Sequence, residues 1–463
     1  MNRENMARKS DVIDVKRFID EQKFSTFQWR VMIICFLIVA VDAYDAAAVS
    51  FVVPVLAEKW QVSKAMFGTV MSASVVGMAL GAFLAGPIIE RTTPKTVIVA
   101  AILTFGILSL GTCWADSPTS LGIWRLFTGI GIGAAIPGAT TMVFEYAPER
   151  RSALLVNTLA CGAMIGAAIC GVTAGILIPM YGWQSVFVVG GVAPIVLAVL
   201  VLVALPEPLQ FMALRGWPAE RIASVLRRIA PSYSFEGVRF VLSEGRPVER
   251  KAGVSIILSR RLRIGTLMLW LGYFSGAFSY YLLFVWMPTL LSEAGATLRQ
   301  ATMATSLLSF GGVLGAVSAG WFMDRFNKSC VVALAFTIGA VAVWTIEQQI
   351  SNQTALAVSL LIAGVGVSGA IFSMSSLAAS YYPASVRSTG IATMVGIGRI
   401  GGMVGPIAGG LLMHTASGSG SYFAVVTASA LISAMALLVM YRRGSANAHS
   451  GSAAVGRGSL EAE

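Results

Sequence analysis

The sequence predicts an all-α polytopic membrane protein of 12 transmembrane helices in two six-helix halves. Three observations point there. Of 463 residues, 56% are hydrophobic and only 12% are charged, whereas a soluble chain carries about 25% charged residues. Apolar runs long enough to cross a bilayer core of about 30 Å recur twelve times, six on either side of one long polar stretch. The basic residues are also one-sided: 28 of the 33 Lys and Arg fall in the termini, the middle stretch and alternate connections. That is the positive-inside bias, which puts both termini in the cytoplasm. The same distribution accounts for the net charge of +11 and excludes a nucleic-acid partner, which needs a basic face on one domain.

Residues 1–29 form a cytoplasmic N-terminal segment of mixed charge. Val12, Val15, Phe18 and Ile19 at helical spacing predict a short interfacial helix, with a frayed tail as the alternative. The N-terminal bundle, 30–205, holds span one from about Val31 to Leu56, then runs near 64–89, 96–115, 119–144, 153–178 and 184–205. Pro206-Glu207-Pro208 ends the sixth. An Arg-rich cytoplasmic linker, 206–263, follows, with helical patches such as Ala219 to Ile229. The C-terminal bundle, 264–441, carries runs near 264–291, 300–323, 329–349, 354–380, 387–413 and 421–441. Residues 442–463, rich in Gly, Ser and Ala, are expected to be a disordered cytoplasmic tail. The first run is too long for a signal-peptide core, so no processing is expected. The cysteines Cys35, Cys113, Cys161, Cys170 and Cys330 lie in or beside apolar runs without a pairing pattern and read as core residues.

Six plus six invites a search for a repeat. Gly86-Pro87-Ile88-Ile89-Glu90-Arg91 recurs 234 residues later as Gly320-Trp321-Phe322-Met323-Asp324-Arg325. Gly162 and Gly171 precede Gly396 and Gly405 by the same offset, and Tyr146, Pro148 and Arg151 are echoed, with small slips, by Tyr381, Pro383 and Arg387. Four matches at equivalent span positions predict a duplicated bundle.

Two carboxylates, Asp42 and Asp45, interrupt span one near its middle. An acid at that depth costs about 2.5 to 3.5 kcal/mol on insertion scales, so it faces an interior, takes a partner or carries a proton. At i and i+3 the two share a helix face, and double ionisation is costly, so one is expected to hold a proton. The structural alternative is a pair that only pins helices together. Arg399, in span eleven, sits near the same depth. A guanidinium among glycines there suits bidentate capture of a carboxylate, and the alternative is an ion pair with Asp42 or Asp45. Asp45 ranks ahead of Asp42 as the coupled acid, because Asp42 is the expected partner of Arg399. Arg125, near the outer end of span four, is either a substrate ligand or a structural residue that snorkels to the interface or bonds helix-end carbonyls.

Glu145, Glu149, Arg150 and Arg151 mark the inner end of span four, and Glu90-Arg91 and Asp324-Arg325 sit at matching inner ends. A gate needs weak, switchable pairs of this kind, so Glu90, Arg91, Asp324, Arg325, Glu145 and Arg151 are candidate gating residues; solvated surface pairs are the plain alternative. In span seven Tyr273, Tyr280 and Phe284, with Tyr281, share a face that offers a stacking surface for a ring, against ordinary packing. Gly129-Ile130-Gly131-Ile132-Gly133 has no strand before it and reads as close helix packing, not a nucleotide loop. Two histidines, His414 and His449, cannot form a metal site alone. Without a HExxH, nucleophile-elbow or Walker pattern, no enzyme chemistry, metal or cofactor is expected.

These landmarks together resemble the major facilitator superfamily, and within it the aromatic acid:proton symporter family. The residues that carry the likeness are Asp42-Ala43-Tyr44-Asp45, Arg125 with Gly129 to Pro137, Glu145-Tyr146-Ala147-Pro148-Glu149-Arg150-Arg151, Gly320 to Asn327, and Gly396-Ile397-Gly398-Arg399. The likeness runs from about residue 22 to 441. It implies a major facilitator fold, alternating access, and uptake of an aromatic carboxylate such as a hydroxybenzoate with protons, by a monomer in the inner membrane. It further implies that Asp42 and Asp45 couple protons, and that Arg399, with Arg125 and Tyr44, serves the substrate. The sequence departs from the family at Ala43, usually Gly, at Thr93 and Pro94, which replace a glycine and an arginine of the loop pattern, and at Gly138, often Asn. Two rival readings stay open: a proton-coupled antiporter or exporter of another solute, and a membrane receptor for such acids.

Overall fold

The computed structural model describes residues 12–231, 233, 235, 238–241, 254–260, 262–349, 352–383, 386–413 and 418–458. Residues 64–65, 86–87, 89–90, 149–154, 156–157, 254, 388, 418–420 and 443–458 are described by backbone alone. After a strand β1 (Val12–Asp14), the helices are α1 (Val15–Glu21), α2 (Thr26–Trp60), α3 (Lys64–Arg91), α4 (Pro94–Gly111), α5 (Pro118–Tyr146), α6 (Glu149–Tyr181) and α7 (Gln184–Ala204). The middle stretch holds α8 (Leu209–Leu214), α9 (Ala219–Ile229), β2 (Arg239–Val241) and α10 (Val254–Ile257). Then come α11 (Arg263–Glu293), α12 (Leu298–Met323), α13 (Lys328–Gln349), α14 (Gln353–Ala363), α15 (Gly369–Tyr381), α16 (Arg387–Leu412) and α17 (Gly418–Gly458). A π-helical turn, Gly364–Ser368, joins α14 to α15 as one span. Twelve helical stretches are long and apolar enough to cross a membrane, each within a few residues of a predicted run.

Local chemistry explains where the helices begin. Thr93 and Ser117 cap α4 and α5 through their side chains, each followed by a proline at the first helical position, and Thr297 forms a capping box with Gln300 at α12. Gly182 and Gly295 take φ of +82° and +92° just after α6 and α11, the left-handed stop that glycine permits. The final helix is continuous to Gly458, whereas the sequence placed disorder from residue 442.

The chain divides into two compact units. One comprises Met1–Val49, Ala73–Thr173 and Leu177–Glu249; the other comprises Ser50–Ser72, Ala174–Ile176 and Arg250–Glu463. The sequence divided the chain at the linker alone. Contact groups Ser50–Ser72 and Ala174–Ile176 with the C-terminal helices because small residues let backbones meet there. A Cβ on Gly68 would stand 2.6 Å from the Pro406 carbonyl, Ser72 Oγ donates to the Met403 carbonyl at 2.7 Å, and a Cβ on Gly175 would overlap Thr302.

The N-terminal segment differs from its expectation. Its apolar face does not lie on lipid: Val15, Phe18 and Ile19 are buried in one core with Leu209, Met212, Ile222, Leu226 and Phe235. β1 pairs in parallel with β2, Ile13 opposite Phe240. Val15, Phe18 and Ile19 recur at the spacing of one buried helix stripe, and the linker supplies the matching apolar surface, so burial in protein replaces burial in lipid.

Candidate functional site

The first cluster lies in the N-terminal unit, around the acids of α2. Asp45 and Arg125 are both fully buried, and Asp42 is 3% exposed. Arg125 Nη1 donates to Asp45 Oδ2 at 2.9 Å and to the Asp45 carbonyl at 3.2 Å. Nη2 donates to Asp45 Oδ1 at 3.5 Å, Thr128 Oγ1 at 3.2 Å and Thr112 Oγ1 at 3.3 Å. Ser109 Oγ donates a short hydrogen bond to Asp45 Oδ1. The Phe187 ring lies 5.0 Å from the guanidinium carbon, a cation–π contact. A Cβ on Gly190 would stand 3.1 Å from Asp45 Oδ1, so glycine is what lets α7 close over the acid. Tyr44 is buried beside them, its hydroxyl bonded to Thr173 Oγ1 at 2.9 Å.

This arrangement corrects two expectations. Arg125 neither snorkels nor caps a helix end; it is the ion-pair partner of Asp45, because α5 carries it inward against α2 and α4. The acid with an arginine partner is Asp45, and that arginine is Arg125 rather than Arg399. A buried charge pair persists only when its remaining donors and lone pairs are also met. The hydroxyls that do this, Ser109, Thr112 and Thr128, escaped the sequence reading, since a lone Ser or Thr in an apolar run carries no periodic signal. Thr128 alone was findable, three residues from Arg125 on the same helix face.

The second cluster lies in the C-terminal unit, where α16 packs along α11. Its glycines make that approach possible. A Cβ on Gly398 would overlap the Tyr273 ring, one on Gly402 would stand 2.8 Å from Tyr281 Cε2, and one on Gly405 would stand 3.1 Å from the Phe278 carbonyl. Two tyrosines therefore brace the helix on either side of Arg399, which is half-buried. Among the described residues Arg399 makes no ion pair. The expected ring surface is present and larger than read from span seven alone. Tyr280 stacks on Phe284 at 5.8 Å and meets Tyr281 and Phe372 edge-on at 5.3 and 5.9 Å, and Phe284 meets Phe51. Phe372 was missed because it stands alone among small residues of α15.

The expected gate residues are not drawn into ion pairs among the described residues. Glu145 Oε2 accepts from the Gln210 backbone N–H at 3.0 Å. Arg325 lies over Trp321 at 3.6 Å, Asp324 is an exposed helix end, and Arg91 is exposed. The side chains of Glu90, Glu149, Arg150 and Arg151 lie outside the described residues, as does His414. Among the described residues no group of three or more His, Cys, Asp or Glu is placed to hold a metal.

The Gly-rich run of α5 is an interlock. A Cβ on Gly129 or Gly133 would overlap the carbonyls of Ser74 or Met78 on α3, as the packing reading requires.

A profile described as Major Facilitator Superfamily matches residues 35–214 and 269–461. The 4-hydroxybenzoate transporter PcaK of Pseudomonas aeruginosa is 41% identical over 433 residues, 93% of this chain and 96% of that protein. The gallate transporter of Pseudomonas putida is 38% identical, covering 92% of this chain and 94% of that protein. Among solved structures, a D-xylose–proton symporter superposes with a TM-score of 0.68 at 14% identity, covering 89% of this chain and 97% of that one, a likeness of fold alone.

Proposed function

The chain belongs to the Major Facilitator Superfamily, and from that membership we propose that it imports aromatic, hydroxybenzoate-like carboxylates together with protons. It is a multi-pass membrane transporter and not an enzyme. The proposed setting is a bacterial inner membrane, both termini cytoplasmic, with two six-helix halves alternating access to one site. The observation that carries this reading is Arg399: a cation without an anionic partner among the described residues, braced by the rings of Tyr273 and Tyr281. A planar fork suits a carboxylate, and the aromatic wall of Tyr280, Tyr281, Phe284 and Phe372 suits its ring. Relatives at 38 to 41% identity that carry 4-hydroxybenzoate and gallate support the substrate class.

The proton is assigned to Asp42. Protonating Asp45 leaves Arg125 buried without its counter-charge, which costs about 3 to 5 kcal/mol for a buried pair of this kind. Protonating Asp42 carries no such penalty, so Asp45 with Arg125 is the fixed anchor and Asp42 the exchangeable acid. This reverses the ranking drawn from sequence, and it recasts Arg125 as a positioning residue rather than a substrate ligand.

The test uses proteoliposomes and labelled 4-hydroxybenzoate. An inward proton gradient drives uptake by the parent. Asp42→Asn, which is close in shape to the protonated acid but releases no proton, retains exchange of labelled for unlabelled substrate and loses uphill accumulation. Arg399→Lys keeps the charge but loses the second parallel hydrogen bond, and it raises the half-saturating concentration at least about tenfold. Uptake suppressed by the gradient indicates an exporter; binding without flux indicates a receptor. Uphill accumulation by Asp42→Asn equal to the parent removes the assignment of the proton.

A further inference from the structure

A second polar site, outside both clusters, lies where the C-terminal end of α2 meets the end of α11 and the start of α12. These segments, all in the C-terminal unit, enclose a cleft of about 450 Å³. Glu58 and Glu293 both line it, and no Lys or Arg does. Thr289 also lines it, only 1% exposed, and its Oγ1 has no hydrogen-bond partner. A buried hydroxyl in that state costs roughly 1 to 3 kcal/mol unless something occupies the space before it. Ser292 lines the cleft as well; its hydroxyl donates to the Pro288 carbonyl at 2.9 Å, which leaves the oxygen free to accept.

The donor chemistry selects the occupant. Every polar side chain of the cleft offers oxygen, none offers sulfur or imidazole, and no aromatic ring lines it. Soft transition metals want thiolate or imidazole, and an organic cation is usually held by ring faces, so neither fits. Two carboxylates and a hydroxyl match a hard divalent cation, with water completing its shell in the remaining space. We propose that this cleft binds a divalent cation of the Ca²⁺ or Mg²⁺ type through Glu58, Glu293 and Thr289, clipping the end of α2 to α11. The lone threonine hydroxyl is the feature that an ordinary solvated acidic patch does not require. The site stands independently of the substrate and proton assignments.

Thermal unfolding of the purified full-length transporter in detergent, titrated with Ca²⁺ or Mg²⁺ against K⁺ at matched ionic strength, tests it. The divalent ion raises the unfolding temperature with a saturable midpoint, and calorimetric titration counts one ion per chain. In the Glu58→Gln, Glu293→Gln variant that midpoint moves at least about tenfold higher, because both charged ligands become neutral. Glu220→Gln, on α9, leaves the midpoint unchanged. Thr289→Val removes only the hydroxyl and weakens the midpoint several-fold, which keeps the proposal testable if the double variant does not fold. A parent whose unfolding ignores divalent ions overturns the site. So does an unchanged midpoint in Thr289→Val together with Glu58→Gln.

Discussion

The two halves of the duplicated bundle share their interlocks and differ in what they bury. Gly77 and Gly81 of α3 stand against the Leu126 and Ile130 carbonyls of α5, with no room for a Cβ. Gly311 and Gly315 of α12, each 234 residues later, stand in the same way against the carbonyls of Leu361 and Val365. At the same offset Asp45 and Arg125 become Ser279 and Ser359, which bond locally to the Val426 carbonyl and to Gln349. In the other direction, Tyr273, Tyr281 and Arg399 fall on Val39, Ala47 and Ile165. A fold that is built twice, once with serines where the other half has an ion pair, does not need the ion pair in order to form. The acids of the N-terminal unit and the arginine of the C-terminal unit are therefore additions to a common scaffold, and that is the physical ground for assigning them work.

The largest effect expected from this contrast is at Asp45. Asp45→Asn strands Arg125 in a fully buried setting and destabilises the protein by about 3 to 5 kcal/mol. Arg125→Gln alone strands the carboxylate to a similar degree. Combined, the two remove both charges, and the double variant recovers most of the loss. Ser279→Ala, the counterpart change in the other half, costs one hydrogen bond, about 1 kcal/mol. A double-mutant cycle on thermal unfolding measures the coupling, and purely additive losses at Asp45 and Arg125 break the comparison.

The scaffold was legible in the sequence and the polar pairing was not, for a physical reason. Apolar runs, punctuating Pro and Gly, and the 234-residue offset are one-dimensional signals, so twelve spans and the duplication could be read directly. Which acid meets which arginine depends on helix rotation and crossing, which no linear spacing encodes. Asp42, Asp45 and Arg399 were singled out correctly as buried polar residues of the spans, but Arg125 was misplaced, because its distance from the end of α5 says nothing of the face it occupies. The docking of Val15, Phe18 and Ile19 on the linker was hidden for the same reason: an amphipathic stripe reports that it is covered, not by what.

A smaller effect tests the shared interlocks themselves. Gly81→Ala and Gly315→Ala each drive a methyl into a facing backbone carbonyl, Ile130 and Val365 respectively. Overpacking of this kind costs about 1 to 3 kcal/mol. If the halves are true copies, the two losses match to within about 0.5 kcal/mol in thermal unfolding, and they add, since distant sites without shared partners are independent. A loss at only one of the pair shows that the second half holds its helices by other means.

The smallest expected effect lies at the ends of spans four and ten, where the halves use one device with different chemistry. Tyr146 donates from its hydroxyl to the Glu207 carbonyl at 2.6 Å, and Tyr381 donates to the Leu262 carbonyl at 3.0 Å. Only the first of these anchors brings a carboxylate with it. Glu207 Oε1 accepts from Thr93 Oγ1 at 3.0 Å, while its Oε2 is buried without a partner. Burial pushes this carboxyl up from its ordinary value of 4.5, and the Thr93 hydroxyl and Lys95 pull it partly back. A carboxyl raised on folding binds its proton more tightly in the folded state. Its stabilising contribution is therefore full below about pH 4.5 and is lost as pH rises through the raised folded value. Glu207→Gln keeps an acceptor for Thr93 but cannot titrate. Between pH 5 and pH 8 the parent should thus lose stability relative to Glu207→Gln, while Tyr381→Phe, in the half without the carboxylate, runs parallel to the parent. Thermal unfolding across that range reads the slopes, and parallel curves for parent and Glu207→Gln would mean that the acid at this anchor is fully solvated and that the two inner ends differ in sequence only.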